Sequence, residues 1–205
     1  MHVWRDRLDR WLTPLARRCR MSPNAITFTA LALSLLAALL FAAASARPPL
    51  FLVAMVVVVA SGLADAFDGI VARVQSKESR YGDFLDHFAD RVSDVALAIG
   101  WMVGSGVRAS FVIAAVVTIM LNGYIGTQIE ATWRERTYDT VGRGEFVLAL
   151  IVFPIVSFIL ASNGWASIAA GSLTIAEWLT AAMSAFALLG IAQRLALAAR
   201  LERTR

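Results

Sequence analysis

Six long apolar segments dominate the hydrophobic pattern of the chain, and most polar residues lie in the short stretches between them. Each segment is long enough to cross a hydrocarbon core of about 30 Å as an α-helix. The pattern therefore predicts an all-α polytopic membrane protein with six transmembrane helices. The segments cover residues 24–45, 50–74, 83–103, 108–130, 144–163 and 174–198.

The segment before the first span has a different pattern, with apolar residues at helical spacing among arginines. Its apolar positions are Trp4, Leu8, Trp11, Leu12 and Leu15. Two tryptophans beside an arginine-rich face favour an amphipathic helix over residues 1–20 on the cytoplasmic membrane surface. The alternative is a cytosolic helix packed on a loop. Ser22 and Pro23 then suit the N-cap and the first turn of the first span.

Basic residues are concentrated in alternate connections of the predicted bundle. They lie before the first span, between the second and third, between the fourth and fifth, and after the sixth, whereas the other loops hold only Arg47 and Arg108. This pattern predicts that both termini face the cytoplasm and that the protein lies in the cytoplasmic membrane. We find no internal repeat or long linker, so residues 1–205 form one domain, with 24–198 as its six-helix bundle.

The composition supports a membrane protein. The 205 residues are 59% hydrophobic and 17% charged, whereas soluble domains are about 25% charged. These values argue against a disordered chain, a coiled coil and an ordinary soluble enzyme. The net charge of +4 is spread through short loops, so we expect no nucleic-acid partner.

Four aspartates within or at the ends of apolar segments are the strongest functional signal. Asp65 and Asp68 are three residues apart on the second helix, and Asp86 and Asp90 are four apart on the third, so each pair shares a helix face. Antiparallel helices joined by the short loop at 75–81 place both pairs about 10 Å inside the cytoplasmic ends. Carboxylates are costly in a membrane and usually functional. Four together predict a Mg²⁺ or Mn²⁺ site.

The spacing around these aspartates resembles the signature of the CDP-alcohol phosphotransferase family. It reads Asp65-x2-Asp68-Gly69-x2-Ala72-Arg73-x8-Gly82-x3-Asp86-x3-Asp90. The chain length, the six spans and the N-terminal amphipathic segment also resemble this family. The resemblance implies a membrane enzyme, usually a homodimer, with a polar cavity that faces the cytoplasm. Such enzymes displace CMP from a CDP-linked lipid, here CDP-diacylglycerol or CDP-archaeol, with a second alcohol in phospholipid biosynthesis.

The resemblance also implies roles for individual residues. The four aspartates, Asp65, Asp68, Asp86 and Asp90, would hold two divalent ions on the diphosphate, and Asp90 would be the general base. Because a metal-bound carboxylate is a weaker base, activation of the hydroxyl by the metal stays open. The residues bordering the CDP group would be Pro23, Asn24, Ala25, Ile26, Thr27, Gly69, Ala72, Arg73, Ser79 and Gly82. An interfacial anchor is the alternative for Arg73, and a plain helix cap is the alternative for residues 23–27.

The acceptor is less well defined by the sequence. Family members that use inositol phosphate or glycerol phosphate place basic residues on the later helices. The candidates here are Arg134, Arg136, Arg143 and Arg194, and for Arg134 and Arg136 the favoured alternative is a positive-inside loop charge. Arg194 lies within the last apolar segment, where a charge needs a partner. Gln128 and Glu130, near the end of the fourth span, are candidates for binding polyol hydroxyls, with interhelical hydrogen bonding as the alternative.

Two other function classes also place acidic residues in a membrane. A membrane prenyltransferase binds Mg²⁺-diphosphate through two separated aspartate-rich motifs on a larger bundle, whereas this chain has one compact cluster. A cation transporter needs acidic residues along a path through the bilayer. Here they lie near one face, and Glu177 is the only acidic residue near the other.

Overall fold

The computed structural model describes residues 12–134 and 143–203, and these form six long α-helices and one short β-hairpin. The helices are α1 (Pro23–Ala43), α2 (Leu50–Val74), α3 (Arg80–Gly104), α4 (Ala109–Trp133), α5 (Arg143–Ser162) and α6 (Ile175–Arg203). In the hairpin, β1 (Ala169–Ala170) pairs antiparallel with β2 (Leu173–Thr174). Residues 12–18 are helical as well, and residues 1–11 of the predicted surface helix lie outside the described residues.

Each predicted apolar segment corresponds to one of the long helices. The largest difference is at α6, which ends at Arg203 instead of residue 198. Within the described ranges, α1, α2, α4, α5 and α6 are long and apolar enough to cross a membrane. Helix α3 has 25 residues, but charged side chains occupy much of its first half. The protein is therefore a polytopic helical membrane protein.

Serine caps begin the two helices that border the aspartate cluster. Ser22 accepts a hydrogen bond from the Ala25 amide at 3.2 Å, and Pro23 occupies the first turn of α1. Ser79 caps α3 in the same way by accepting from the Gly82 amide at 3.0 Å. These bonds satisfy amides that a helix N-terminus leaves unpaired.

The helices pack in two groups that meet along α3. Helix α1 packs against α2 and α3, while α4 packs against α6; contacts between α3 and α4 and between α2 and α5 join the groups. Gly100 and Gly104 allow the close approach of α3 to α1, because a Cβ at either position would overlap backbone atoms of Ala38 or Phe41. Trp101 is completely buried in this core and donates its indole N–H to Ser157 at 3.1 Å.

Hydrogen bonds connect the segment before α1 to the residue that follows α2. Gln75 Nε2 donates hydrogen bonds of 2.9 Å to the carbonyl oxygens of Ala16 and Cys19. Ala16 is buried in a small cluster with Ile70 and Val71. The described end of the N-terminal segment thus lies against α2, near the end that carries Asp65 and Asp68.

An ion pair joins the N-terminal ends of α4 and α6. Arg108, the N-cap residue of α4, contacts Glu177 through Nε at 2.5 Å and Nη2 at 3.1 Å. Glu177 is 2% exposed and also accepts from the Thr174 amide at 3.0 Å. The Thr174 hydroxyl accepts from the Glu177 amide in return, which completes a capping box at the start of α6.

Candidate active site

Three of the four predicted metal ligands form one cluster. Asp65, Asp68 and Asp86 each place a carboxylate oxygen within 4.8 Å of the others, with Asp68 only 6% exposed. The first two come from the last part of α2 and the third from the first part of α3, so the short loop between these helices brings them together. Like charges this close are stabilised by a divalent cation, and an all-carboxylate set suits Mg²⁺ or Mn²⁺. The residues present therefore fit the expected metal.

Asp90 lies one helical turn after Asp86 and lines a cavity. Asp90 is 9% exposed, and Asp86 lines the same cavity. The described cluster of three carboxylates does not include Asp90. Asp90 thus lines the part of the cavity that borders Asp86 of the cluster.

Thr27 supports the aspartate cluster from α1. Its hydroxyl donates to Asp68 Oδ2 at 2.5 Å, and Thr27 itself is 5% exposed. The sequence suggested contact between Thr27 and the nucleotide, whereas the structure shows contact with a predicted metal ligand. A buried hydrogen bond of this kind fixes the orientation of the carboxylate.

The remaining predicted CDP-binding residues lie at the starts of α1 and α3 and in the last part of α2. A Cβ on Gly82 would lie 3.2 Å from Ser79 Oγ and 3.6 Å from Asn24 Oδ1, so the starts of α1 and α3 are adjacent. On α2, a Cβ on Gly69 would lie 3.4 Å from Arg73 Nη1. Arg73 and Ser79 are exposed, whereas Pro23, Asn24, Ala25, Ala72 and Gly82 are partly buried.

Ile26 differs from the other residues in this set. It is 5% exposed and packs in the cluster formed by Ala16, Ile70 and Val71. Its side chain therefore stabilises the junction between the N-terminal segment and α2. The helix period explains the difference, because adjacent residues point about 100° apart around α1.

A cavity of about 560 Å³ extends from the aspartates between α3, α4, α5 and α6. It combines polar residues near the aspartates with apolar residues farther away. Its polar and small lining residues are Asp86, His87, Asp90, Arg91, Asp94, Asn122, Gly123, Gly126, Thr127, Glu130, Glu145 and Arg194. His87 Nε2 lies 3.9 Å from Glu130 Oε2 across the α3–α4 boundary.

Arg194 is the predicted basic residue of the acceptor site that the structure brings to this cavity. Its guanidinium donates to the backbone carbonyl of Asn122 at 2.9 Å and also to the Asn122 side-chain oxygen. Gln128 is exposed and is not part of the cavity lining, because it lies one residue beyond Thr127 and faces another direction. The side chain of Arg143 lies outside the described part of the structure.

Several cavity residues were not identified as site residues from the sequence. Asn122, Gly123 and Gly126 recur at helical spacing with Thr127 and Glu130, and this small and polar stripe on an otherwise apolar helix is a usable signal. Arg91 pairs with Asp94 at 3.2 Å, as expected for charges three residues apart.

Comparison with known proteins identifies the family. The model of the CDP-alcohol phosphatidyltransferase family matches residues 20–189. The chain belongs to this family. The family prediction made from the aspartate signature is therefore confirmed, and the enzyme class that follows from membership is CDP-alcohol phosphotransferase.

Two proteins with similar sequences match different shares of the chain. The inner membrane protein YnbA of Escherichia coli (strain K12) is 34% identical over 118 residues, and the match spans 58% of each chain. The archaetidylinositol phosphate synthase of Methanothermobacter thermautotrophicus is 23% identical over 160 residues, which is 78% of this chain and 80% of the relative.

The fold is similar to that of a solved family member. The crystal structure of Mycobacterium tuberculosis phosphatidylinositol phosphate synthase with manganese and citrate has a TM-score of 0.66 and 25% identity, covering 91% of this chain and 88% of the other. A structure of that synthase with CDP-DAG bound has a TM-score of 0.66 and 24% identity, covering 92% and 94%. Membership of the family also removes the prenyltransferase and transporter alternatives.

Proposed function

We propose that the protein transfers a phosphatidyl-type group from CDP-diacylglycerol or CDP-archaeol to a phosphorylated polyol, with inositol phosphate preferred over glycerol phosphate, and releases CMP. The observation that carries this proposal is the single cavity that extends from Asp86 and Asp90 to the guanidinium of Arg194. An acceptor that spans it places a hydroxyl near the carboxylates and a phosphate near the arginine. The similarity to an archaetidylinositol phosphate synthase and to a phosphatidylinositol phosphate synthase supports the choice of acceptor.

The aspartate cluster would bind the diphosphate of the donor. Asp65, Asp68 and Asp86 are the ligands that support this assignment, and we propose Asp90 as the fourth, with two Mg²⁺ or Mn²⁺ ions in the complete site. When bound, these ions would neutralise the diphosphate and favour CMP as the leaving group. Thr27 would hold the Asp68 carboxylate in place through its hydrogen bond.

Asp90 is the proposed general base. It is buried at the cavity wall, where it can accept the proton of the acceptor hydroxyl. The acceptor oxygen then forms a bond to the lipid-side phosphorus, and the bond from that phosphorus to the oxygen of CMP breaks. The electron pair leaves with CMP, so atoms and charge balance without a further reactant.

The CDP group would lie at the adjacent starts of α1 and α3 and the end of α2. The residues proposed for it are Pro23, Asn24, Ala25, Thr27, Gly69, Ala72, Arg73, Ser79 and Gly82. The lack of a side chain on Gly82 leaves space beside Asn24 and Ser79, and Arg73 offers a cation to a phosphate. Ile26 is left out because its side chain packs against Ala16, Ile70 and Val71, whereas Thr27 contacts Asp68.

We also propose that α3 crosses the membrane as a sixth span. Its length equals that of α2, and its charged half faces the aspartate cluster and the cavity, so its charges need not meet lipid. The alternation of basic connections supports cytoplasmic termini and a site open to the cytoplasm. Residues 1–20 would lie on that membrane surface, and two copies would assemble as the family resemblance implies.

The test is a measurement of CMP release by the purified full-length protein. CDP-diacylglycerol and CDP-archaeol serve as donors with Mg²⁺ or Mn²⁺, and inositol 1-phosphate, glycerol 3-phosphate, inositol and serine serve as acceptors. We expect metal-dependent release with inositol 1-phosphate, and its loss when a chelator is added. Release with serine or unphosphorylated inositol alone would reject the phosphorylated acceptor but keep the reaction class.

A further inference from the structure

Two glycines on α4 pack directly against the side chains of two arginines from neighbouring helices. Gly123 faces Arg91 of α3, and Gly126, one turn later, faces Arg194 of α6. A Cβ on Gly123 would overlap Nη1 of Arg91 and lie 2.6 Å from its Cζ. A Cβ on Gly126 would lie 3.2 Å from Nε of Arg194, a contact that a small shift relieves.

Each arginine has a hydrogen-bond or ion-pair partner among the described residues. Arg91 Nη2 pairs with Asp94 at 3.2 Å, and Arg194 Nη1 donates to Asn122. The Nε atoms of both arginines are buried and have no hydrogen-bond partner within the described ranges. Buried donors without partners are costly, so they indicate a ligand or water that accepts from them.

The two guanidinium groups line the same cavity and are close enough to repel each other electrostatically. Glu145 offsets part of this repulsion at Arg194, and Asp94 does so at Arg91. Two cations side by side are favourable when an anion binds between them, and arginine is well suited to a phosphate because it presents a planar fork of donors.

We propose that Gly123 is a positioning residue whose missing side chain lets Arg91 lie across α4 and join Arg194 as a second cation for the phosphate of the acceptor. This inference rests on the proposed function, since it assumes a phosphorylated acceptor. Gly123 acts only through Arg91, and Arg91 is the group that contacts the ligand. Gly126 has a weaker effect of the same kind on Arg194.

The test measures the acceptor KM and the CDP-lipid KM in four variants: Gly123→Ala, Arg91→Ala, the double variant of these two, and Gly126→Ala. Alanine favours a helix more than glycine does, so any loss in Gly123→Ala comes from the displaced arginine. We expect the acceptor KM to rise about tenfold or more in Gly123→Ala, with the CDP-lipid KM unchanged. In the Arg91→Ala background the same glycine change should have no further effect, and Gly126→Ala should raise the acceptor KM less.

Gly62→Ala is the matched control, because Gly62 is also helical and a Cβ there meets nothing within 4 Å. It should leave both KM values unchanged. An unchanged acceptor KM in Gly123→Ala, or an equal further loss in the Arg91→Ala background, would overturn the proposal.

A stability measurement separates this proposal from the proposed function. The thermal unfolding midpoint in detergent should fall in Gly123→Ala and recover in the double variant, because removal of Arg91 removes the overlap. If the wild-type protein used no phosphorylated acceptor but the midpoints followed this pattern, the packing of Arg91 against Gly123 would be supported and the acceptor assignment would be wrong. Equal midpoints in all variants would contradict the packing of Arg91 against Gly123.

Discussion

Thr27 on α1 donates a 2.5 Å hydrogen bond to Asp68 on α2, and both residues are almost completely buried. The bond crosses the interface between two membrane helices and ends on a carboxylate of the metal-binding cluster. It therefore couples the packing of α1 to the orientation of a metal ligand. Supporting partners of this kind change metal affinity by about 10–100-fold when they are removed.

The first prediction concerns this hydrogen bond. Thr27→Val keeps the shape of the side chain and removes the hydroxyl, so Asp68 loses the hydrogen bond that comes from α1. We expect the Mg²⁺ or Mn²⁺ concentration for half-maximal CMP release to rise about tenfold or more. Thr27→Ser should recover most of the wild-type value.

Thr29→Val is the control for the first prediction. The Thr29 hydroxyl donates only to the Ala25 carbonyl of its own helix, and the residue is exposed. Its metal dependence should match that of the wild type. A metal dependence in Thr27→Val equal to that of the wild type would show that the hydrogen bond to Asp68 does not support metal binding.

A second prediction concerns the carboxylate cluster itself. Asp68→Asn and Asp86→Asn each remove a negative charge from a group whose oxygens lie within 4.8 Å of one another. CMP release should be abolished in both, because the metal loses a ligand. Without added metal, the thermal unfolding midpoint should not fall, since one source of like-charge repulsion is gone.

Asp83→Asn is a suitable comparison, because Asp83 lies in the first turn of α3 and is exposed. It should keep CMP release close to the wild-type rate. Retained turnover in either cluster variant would reject the metal assignment of that residue.

The third prediction concerns the acceptor. Arg194→Ala removes the guanidinium held by Asn122 at the cavity wall. The KM for a phosphorylated acceptor should rise about tenfold or more, while the KM for the CDP-lipid stays constant. Arg203→Ala, at the exposed end of the same helix, should change neither value. A constant acceptor KM in Arg194→Ala would place the phosphate elsewhere.

The fourth prediction concerns stability at the opposite end of the bundle. Arg108→Ala leaves the buried Glu177 carboxylate without its bidentate partner. The thermal unfolding midpoint should fall, and Glu177→Gln should lower it less, because a neutral amide can still accept hydrogen bonds. Both acceptor and donor KM values should stay unchanged. A large rise in KM without loss of stability would mean that the pair acts on the active site.

The helices and the aspartate cluster could be predicted because both depend on local sequence patterns. Long apolar runs determine where membrane helices begin and end, and the spacings of Asp65 with Asp68 and of Asp86 with Asp90 determine which carboxylates share a face. The short loop between α2 and α3 then brings the two faces together.

Contacts between distant helices could not be predicted in the same way. Thr27 with Asp68 and Asn122 with Arg194 depend on how each helix is rotated about its axis. Helix α4 is mostly apolar, and only the small and polar stripe of Asn122, Gly126 and Glu130 marks the face that meets the cavity. Of the two residues proposed for the acceptor on this helix, Glu130 lines the cavity and Gln128 does not.

The cavity is proposed to select a phosphorylated alcohol as the acceptor. The most direct measurement compares CMP release from CDP-diacylglycerol with inositol 1-phosphate and with inositol, under the same metal and lipid conditions. We expect the kcat/KM for inositol 1-phosphate to be at least about 100-fold higher than that for inositol, because inositol carries no phosphate for the two arginines to bind. Equal kcat/KM values for the two acceptors would show that the cavity does not select for the phosphate.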